Sequence, residues 1–138
     1  MIFMSAPIRI LVVDPHELMR AGIRLACEAK NQLQIVGETD NLAAGSELVA
    51  DLSPDVLILD LARCDADELT AIHELHVQFP ETKLLVFTAV DGSDVASRLL
   101  SAGASGYLIK IAGLDEIRVA IQCVHVGRTF ISHTHSME

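Results

Sequence analysis

The 138-residue sequence has little that would suit nucleic-acid binding or membrane insertion. It has no Trp and a single Tyr, and ten Lys and Arg stand against nineteen Asp and Glu. The formal net charge of -9 argues against direct nucleic-acid binding, because neutralising phosphates requires clustered basic side chains. The longest apolar runs, such as ILVV and VLIL, fall far short of the roughly 20 residues needed to span a bilayer. We therefore expect no membrane insertion.

Cysteine is scarce and follows no metal-binding spacing. Cys27, Cys64 and Cys123 are an odd number, which favours a reduced protein over a disulfide framework. The opening segment MIFMSAP has no basic stretch and is too short for a secretory apolar region. These features predict a cytoplasmic location.

What the sequence does contain is a regular alternation of short apolar runs and longer amphipathic stretches. Runs rich in β-branched residues predict strands, and the amphipathic stretches predict helices, so the pattern indicates repeated strand-helix units. We predict an α/β fold with a single (βα)5 doubly wound parallel sheet in the flavodoxin-like strand order 2-1-3-4-5. The domain is expected to cover residues 8–127, with 128–138 as a linker or disordered tail. The predicted strands are IRILVVD, LQIVGET, DVLILD, KLLVFT and SGYLIK, and the predicted helices cover about 15–30, 42–51, 67–79, 93–102 and 114–126.

Four of the predicted strands end in a polar side chain, namely Asp14, Asp60, Thr88 and Lys110. The carboxyl ends of parallel strands share one edge, and ligands bind there where the strand order reverses, between strands one and three. Asp14 and Asp60 should meet at that point, where two carboxylates suit Mg²⁺. A carboxylate can also attack a phosphoryl group while a lysine and a hydroxyl stabilise the transferred charge. The set therefore predicts phosphoryl chemistry.

Each of these residues also has an ordinary explanation. The whole role of Asp14 could be to cap the first helix, because Pro15 suits the first helical position and Glu17 has capping-box spacing. Thr88 could be a simple strand-end residue and Lys110 a solvated one. Asp60 is harder to dismiss because it closes a strongly apolar run. The functional interpretation depends on the four residues occurring together.

The segments ILVVDPHELMRAGIR, PDVLILDL, LLVFTA and SAGASGYLIK resemble, in order and spacing, the motifs of the response-regulator receiver domain. The closing AIQCVHVGRTFIS is similar to the end of receivers in NarL/LuxR-type transcription regulators. The resemblance covers nearly the whole chain. It implies a signalling module rather than an enzyme, in which Asp60 accepts a phosphoryl group from a histidine kinase, Lys110 contacts that group, and Thr88 and Tyr107 form the switch. It also implies a homodimer, with DNA binding only through a C-terminal domain.

The sequence departs from the family pattern at several positions. Pro15 stands where the family has a second acidic residue, so Mg²⁺ binding at Asp14 and Asp60 should be weak or absent unless Asp65 or Asp67 supplies a ligand. Cys64 replaces a usual proline in the loop after Asp60, and Asp65 and Glu68 replace glycines.

Two alternatives remain open, the first because of Pro15 and the second because the same strand order can hold a flavin. One is a pseudo-receiver that acts as an interaction module without metal-dependent phosphorylation. The other is a flavodoxin-like cofactor enzyme, which ranks lower because the loops lack a phosphate-cradling cluster of Gly, Ser or Thr. A redox role for Cys64 would need a depressed thiol pKa, and no Lys or His stands close to it in the sequence, so a small apolar side chain is expected.

Overall fold

Strands and helices alternate along the chain in the computed structural model, which describes residues 6–132. The predicted α/β fold is confirmed, and its five strands and five helices lie within a few residues of their predicted positions. The strands are β1 (Ile8–Val13), β2 (Leu33–Thr39), β3 (Val56–Asp60), β4 (Lys83–Thr88), β5 (Gly106–Ile109) and β6 (Phe130–Ile131), and the helices are α1 (Glu17–Glu28), α2 (Leu42–Leu52), α3 (Ala66–Gln78), α4 (Ser93–Ala102) and α5 (Leu114–His125).

The strands form one parallel sheet in the order β2-β1-β3-β4-β5-β6. The predicted order 2-1-3-4-5 is confirmed, but the sixth strand was not predicted. Phe130 and Ile131 pair with β5, where a linker or disordered tail was expected, and Ser132 N donates to Tyr107 O over 2.8 Å. The short FI pair is too brief to show strand periodicity. The expectation for residues 133–138 lies outside the described residues.

Helices cover both faces of the sheet. Successive residues of β1 alternate between the two faces, so that Leu11 and Val13 pack towards α2, α3 and α4, while Ile10 and Val12 pack towards α1 and α5. Because both faces are covered, the central strands are apolar throughout. This packing holds the carboxyl ends of the strands in fixed positions. No helix within residues 6–132 has the length and apolar character needed to cross a membrane.

Candidate phosphoryl-acceptor site

The carboxyl ends of the central strands bring three of the predicted residues together. Asp14 follows β1, Asp60 ends β3, and Lys110 follows β5. The Lys110 ammonium lies 3.0 Å from Asp14 Oδ2 and 2.7 Å from Asp60 Oδ1. All three side chains are largely buried, with exposed fractions of 12% for Lys110, 2% for Asp14 and 9% for Asp60. The predicted meeting of Asp14, Asp60 and Lys110 is therefore confirmed.

Asp14 is not the cap of the first helix. Helix α1 begins at Glu17, and its N-cap is His16, which makes no capping bond with its side chain. Asp14 Oδ1 instead accepts a hydrogen bond from His16 N over 2.9 Å, forming a turn closed by the aspartate side chain. Pro15 consequently lies in this turn, and the expected helix start at residue 15 was wrong by two residues. The turn leaves the Asp14 carboxylate facing Lys110.

His16 also belongs to the site, although it was not predicted there. Its ring Nδ1 lies 2.8 Å from Asp14 Oδ1 and 3.2 Å from Lys110 Nζ. Oxygen or nitrogen atoms of Asp14, His16 and Asp60 all lie within 4.8 Å of one another. The signal in the sequence was the segment DPH, because an aspartate that closes a turn onto the residue two positions ahead brings that residue beside its own carboxylate.

Thr88 and Tyr107 are joined through one residue, Val90. The buried Thr88 hydroxyl donates to Leu61 O over 2.6 Å and accepts from Val90 N over 3.1 Å. The buried Tyr107 hydroxyl donates to Val90 O over 2.6 Å. The Thr88 hydroxyl therefore donates its hydrogen bond to Leu61, the residue after Asp60, and not to the Asp60 carboxylate. The two predicted switch residues contact the same short segment after β4.

The loop between β3 and α3 is held by the side chain of Glu68. Its carboxylate accepts hydrogen bonds from the backbone N–H groups of Ala62, Arg63 and Cys64, at 3.1, 2.9 and 2.5 Å. Asp65 caps α3 by accepting from Glu68 N over 3.0 Å. Cys64 adopts a left-handed backbone conformation with φ of 53°, which is uncommon for a residue other than glycine. The side chains of Glu68 and Asp65 thus hold this loop through hydrogen bonds with its backbone.

Replacing Glu68 by glutamine is expected to lower the free energy of unfolding by about 1 kcal/mol, because the one amide oxygen keeps only neutral hydrogen bonds and the amide NH2 cannot accept from a backbone N–H. The partial exposure of the loop keeps the effect small. Urea unfolding followed by circular dichroism would measure it. Glu74→Gln, on the exposed side of α3, is the matched control and should leave the midpoint unchanged. An equal loss in both variants would contradict the role of Glu68.

The two buried thiols, Cys27 and Cys64, do not have the properties of redox-active cysteines. Burial raises the pKa of Cys27 to about 11 and also raises the pKa of Cys64. Cys64 is 1% exposed and its sulfur lies 3.8 Å from Thr88 Oγ1. Since the thiolate is the reactive form, these thiols should be inert near neutral pH. The interpretation of Cys64 as a small buried side chain therefore fits the structure.

Iodoacetamide is expected to modify Cys27 and Cys64 slowly in the native protein. The Cys27 thiol is protonated below its raised pKa, so its rate should increase as pH rises towards about 11. Unfolding in urea should make both sites react quickly at the same pH. Peptide mass spectrometry over time would measure this, and rapid native labelling at Cys64 would contradict the structure.

A cavity of about 240 Å³ opens beside Asp60, with Pro15, Asn41 and Glu68 among its lining residues. Asp60 is itself one of the lining residues. The Asp14 and Asp60 carboxylates are suitable ligands for Mg²⁺, whereas Pro15 offers no ligand. Neither Asp65 nor Asp67 belongs to the one cluster of potential metal ligands found within residues 6–132. The expectation that one of them replaces the missing acid finds no support.

Comparisons with known proteins agree with this geometry. The profile of the response regulator receiver domain matches residues 10–122. Response regulator GacA of Pseudomonas viridiflava is 37% identical over 125 residues, covering 91% of this chain and 58% of GacA. The transcriptional regulatory protein LiaR of Bacillus subtilis is 32% identical over 120 residues, covering 87% of this chain and 57% of LiaR.

Among solved structures, the signal receiver domain of the response regulator NarL from Mycobacterium tuberculosis superposes with a TM-score of 0.81 at 30% identity. That match covers 90% of this chain and 100% of the NarL domain. The chain spans less than three fifths of the length of the curated relatives, 58% of GacA and 57% of LiaR. The resemblance to NarL/LuxR-type receivers is thus confirmed, and the chain belongs to the response regulator receiver domain family.

Proposed function

We propose that this receiver domain accepts a phosphoryl group on Asp60 from a histidine kinase in a cytoplasmic two-component system, and that the modification changes its contacts with other proteins. The observation that carries the proposal is the Asp60 carboxylate at a strand end, 2.7 Å from the Lys110 ammonium and open to a cavity. This arrangement supplies a nucleophile, a fixed positive charge and access for the donor.

In the proposed reaction an Asp60 oxygen attacks phosphorus and forms an acyl phosphate. The bond from phosphorus to the donor's imidazole nitrogen breaks, and the electron pair leaves with that nitrogen, which takes up a proton. Lys110 stabilises negative charge on the transferred oxygens. Asp14 and Asp60 would hold Mg²⁺, which when bound neutralises further charge there. Because Pro15 offers no acidic ligand, we expect Mg²⁺ to bind weakly and to support phosphorylation only at a high Mg²⁺ concentration.

Phosphorylation would act on the switch through competition for the Thr88 hydroxyl. A phosphoryl group on Asp60 offers charged oxygens, which accept stronger hydrogen bonds than the Leu61 carbonyl that now receives this hydrogen. Moving the hydroxyl would disturb its bond with Val90 N, and Val90 O is the acceptor of the Tyr107 hydroxyl. The proposed response is a population shift of the segment around Val90 towards a second arrangement.

The proposed output is homodimerisation through α1 and α5, which pack against each other. Both helices carry exposed apolar side chains outside that contact: Leu25 is 57% exposed and Val119 is 53% exposed. A second copy could bury them.

Static light scattering should show the molecular mass increasing with protein concentration and increasing further with phosphorylation, and Val119→Glu should reduce both increases. A monomer at all concentrations, with and without the modification, would refute this output. DNA binding would require a further domain.

The primary proposal is tested by incubating the chain with acetyl phosphate and Mg²⁺ and measuring its intact mass. One added phosphoryl group is expected. Reduction with borohydride converts a phosphorylated aspartate to homoserine, and peptide mass spectrometry should locate that homoserine at residue 60. No uptake, under conditions that label another receiver domain in parallel, would refute the proposal and leave the pseudo-receiver interaction module as the better description.

A further inference from the structure

The Lys110 ammonium occupies a position surrounded by three potential metal ligands. It lies 2.7 Å from Asp60 Oδ1, 3.0 Å from Asp14 Oδ2 and 3.2 Å from His16 Nδ1. The side chains that face one another here are therefore arranged around a positive charge. Two of the three are carboxylates, and the third is an imidazole.

One oxygen of the Asp14 carboxylate forms an ion pair at this position but accepts no hydrogen bond. Its Oδ2 atom is buried and receives no hydrogen bond, and within residues 6–132 it is the one buried side-chain polar atom of which this is true. The approach of Lys110 to 3.0 Å gives charge compensation without hydrogen-bond geometry. A buried carboxylate oxygen without a hydrogen bond is costly unless an ion compensates it. Oδ2 faces the Lys110 ammonium, which also contacts Asp60 Oδ1 and His16 Nδ1.

His16 is placed to bind such an ion. The turn closed by Asp14 Oδ1 holds the His16 backbone, so the ring stays beside the carboxylate. The His16 side chain is 60% exposed, which lets the ring rotate towards an ion without disturbing the core. Pro15 offers no ligand in this turn, and the next residue, His16, carries an imidazole nitrogen beside the carboxylate.

We propose that Asp14, His16 and Asp60 form a site for a divalent transition-metal cation that accepts imidazole, such as Co²⁺ or Zn²⁺, in competition with the Lys110 ammonium. Mg²⁺ prefers oxygen ligands in octahedral geometry, whereas imidazole nitrogen is a good ligand for first-row transition metals. One nitrogen and two carboxylate ligands therefore shift the preference of the site away from Mg²⁺. This cation would occupy the same site as the proposed phosphoryl acceptor. Its relevance to phosphorylation rests on the proposed function, whereas its binding does not.

The test is calorimetric titration of the full chain with Co²⁺ and, separately, with Mg²⁺. His133 and His135, which lie outside the described residues, are replaced by glutamine in every protein to remove competing imidazoles. One Co²⁺ per chain should bind roughly tenfold or more tightly than Mg²⁺. His16→Gln should weaken Co²⁺ binding roughly tenfold or more while changing Mg²⁺ binding little. His125→Gln, on the exposed side of α5, is the matched control and should change neither.

Two further measurements identify the ligands. Pulsed electron paramagnetic resonance of the Mn²⁺-loaded chain should show coupling to a nitrogen nucleus, and that coupling should disappear in His16→Gln. Lys110→Met should tighten Co²⁺ binding, because the competing ammonium is gone. The proposal is overturned if Mg²⁺ binds as tightly as Co²⁺, if neither ion binds, if the nitrogen coupling persists without His16, or if Lys110→Met weakens binding.

The metal titrations contain no phosphodonor, so the two proposals fail separately. Co²⁺ binding through His16 without phosphoryl uptake at Asp60 would refute the proposed function alone. Phosphoryl uptake with Mg²⁺, together with Co²⁺ binding that does not depend on His16, would refute the metal inference alone.

Discussion

A chain carrying Asp60→Asn is expected to take up no phosphoryl group from acetyl phosphate under conditions that label the unmodified chain. The asparagine amide has nearly the same shape as the carboxylate but carries no anionic oxygen to attack phosphorus. Lys110 and the cavity beside residue 60 remain in place, so the loss would reflect the missing nucleophile. Intact mass spectrometry of both proteins after equal incubation measures the effect.

The matched control for this experiment is Asp51→Asn, an exposed aspartate in α2, which should be labelled as fully as the unmodified chain. Circular dichroism should show that both variants retain the fold. Persistent labelling of Asp60→Asn would mean that another side chain accepts the group. That result would contradict the assignment of Asp60 even if the chain as a whole can be phosphorylated.

Removing the lysine charge is expected to have the largest effect on stability. Lys110→Met should lower the free energy of unfolding by about 3 kcal/mol, because it leaves two largely buried carboxylates without their shared cation. Adding Asp14→Asn to Lys110→Met should restore part of this loss, since one of the two like charges is then gone. Urea unfolding of the single and double variants gives the coupling energy, which should be about 1–3 kcal/mol.

Lys30→Met is the matched control for the lysine variant, because Lys30 is exposed at the end of α1. It should change the unfolding midpoint little. Strictly additive effects of Lys110→Met and Asp14→Asn would contradict a shared charge cluster. A small effect of Lys110→Met alone would show that solvent reaches the carboxylates and compensates them.

The strand-helix alternation could be predicted from the sequence, and with the flavodoxin-like strand order so could the meeting of three of the four strand-end residues. Each apolar run is flanked by a change in periodicity, and the ends of parallel strands must share an edge. Asp14, Asp60 and Lys110 could therefore be placed together without knowing any side-chain conformation. Thr88 was placed at the right edge, but its hydroxyl bonds to Leu61, and no periodic pattern reports which of several nearby acceptors a hydroxyl chooses.

The features that were missed depend on turns rather than on periodicity. His16 reaches the site because the Asp14 side chain closes a turn onto it, a local bond that competes with helix capping. Glu68 was noted only as a replacement for glycine, yet it holds three backbone donors of its loop. Both cases involve a polar side chain bonding to nearby backbone. Such bonds leave no repeating signal in the sequence.

The short strand β6 has a consequence for how copies of this domain can associate. It pairs along the outer side of β5, where Gly106 and Tyr107 would otherwise leave unpaired backbone groups accessible to another chain. Because β6 has only two residues, it offers few backbone hydrogen-bonding groups to a strand from another molecule. Very short edge strands oppose edge-to-edge pairing of sheets. The proposed homodimer would accordingly form through helical surfaces and not through continuous β-structure on this side of the sheet.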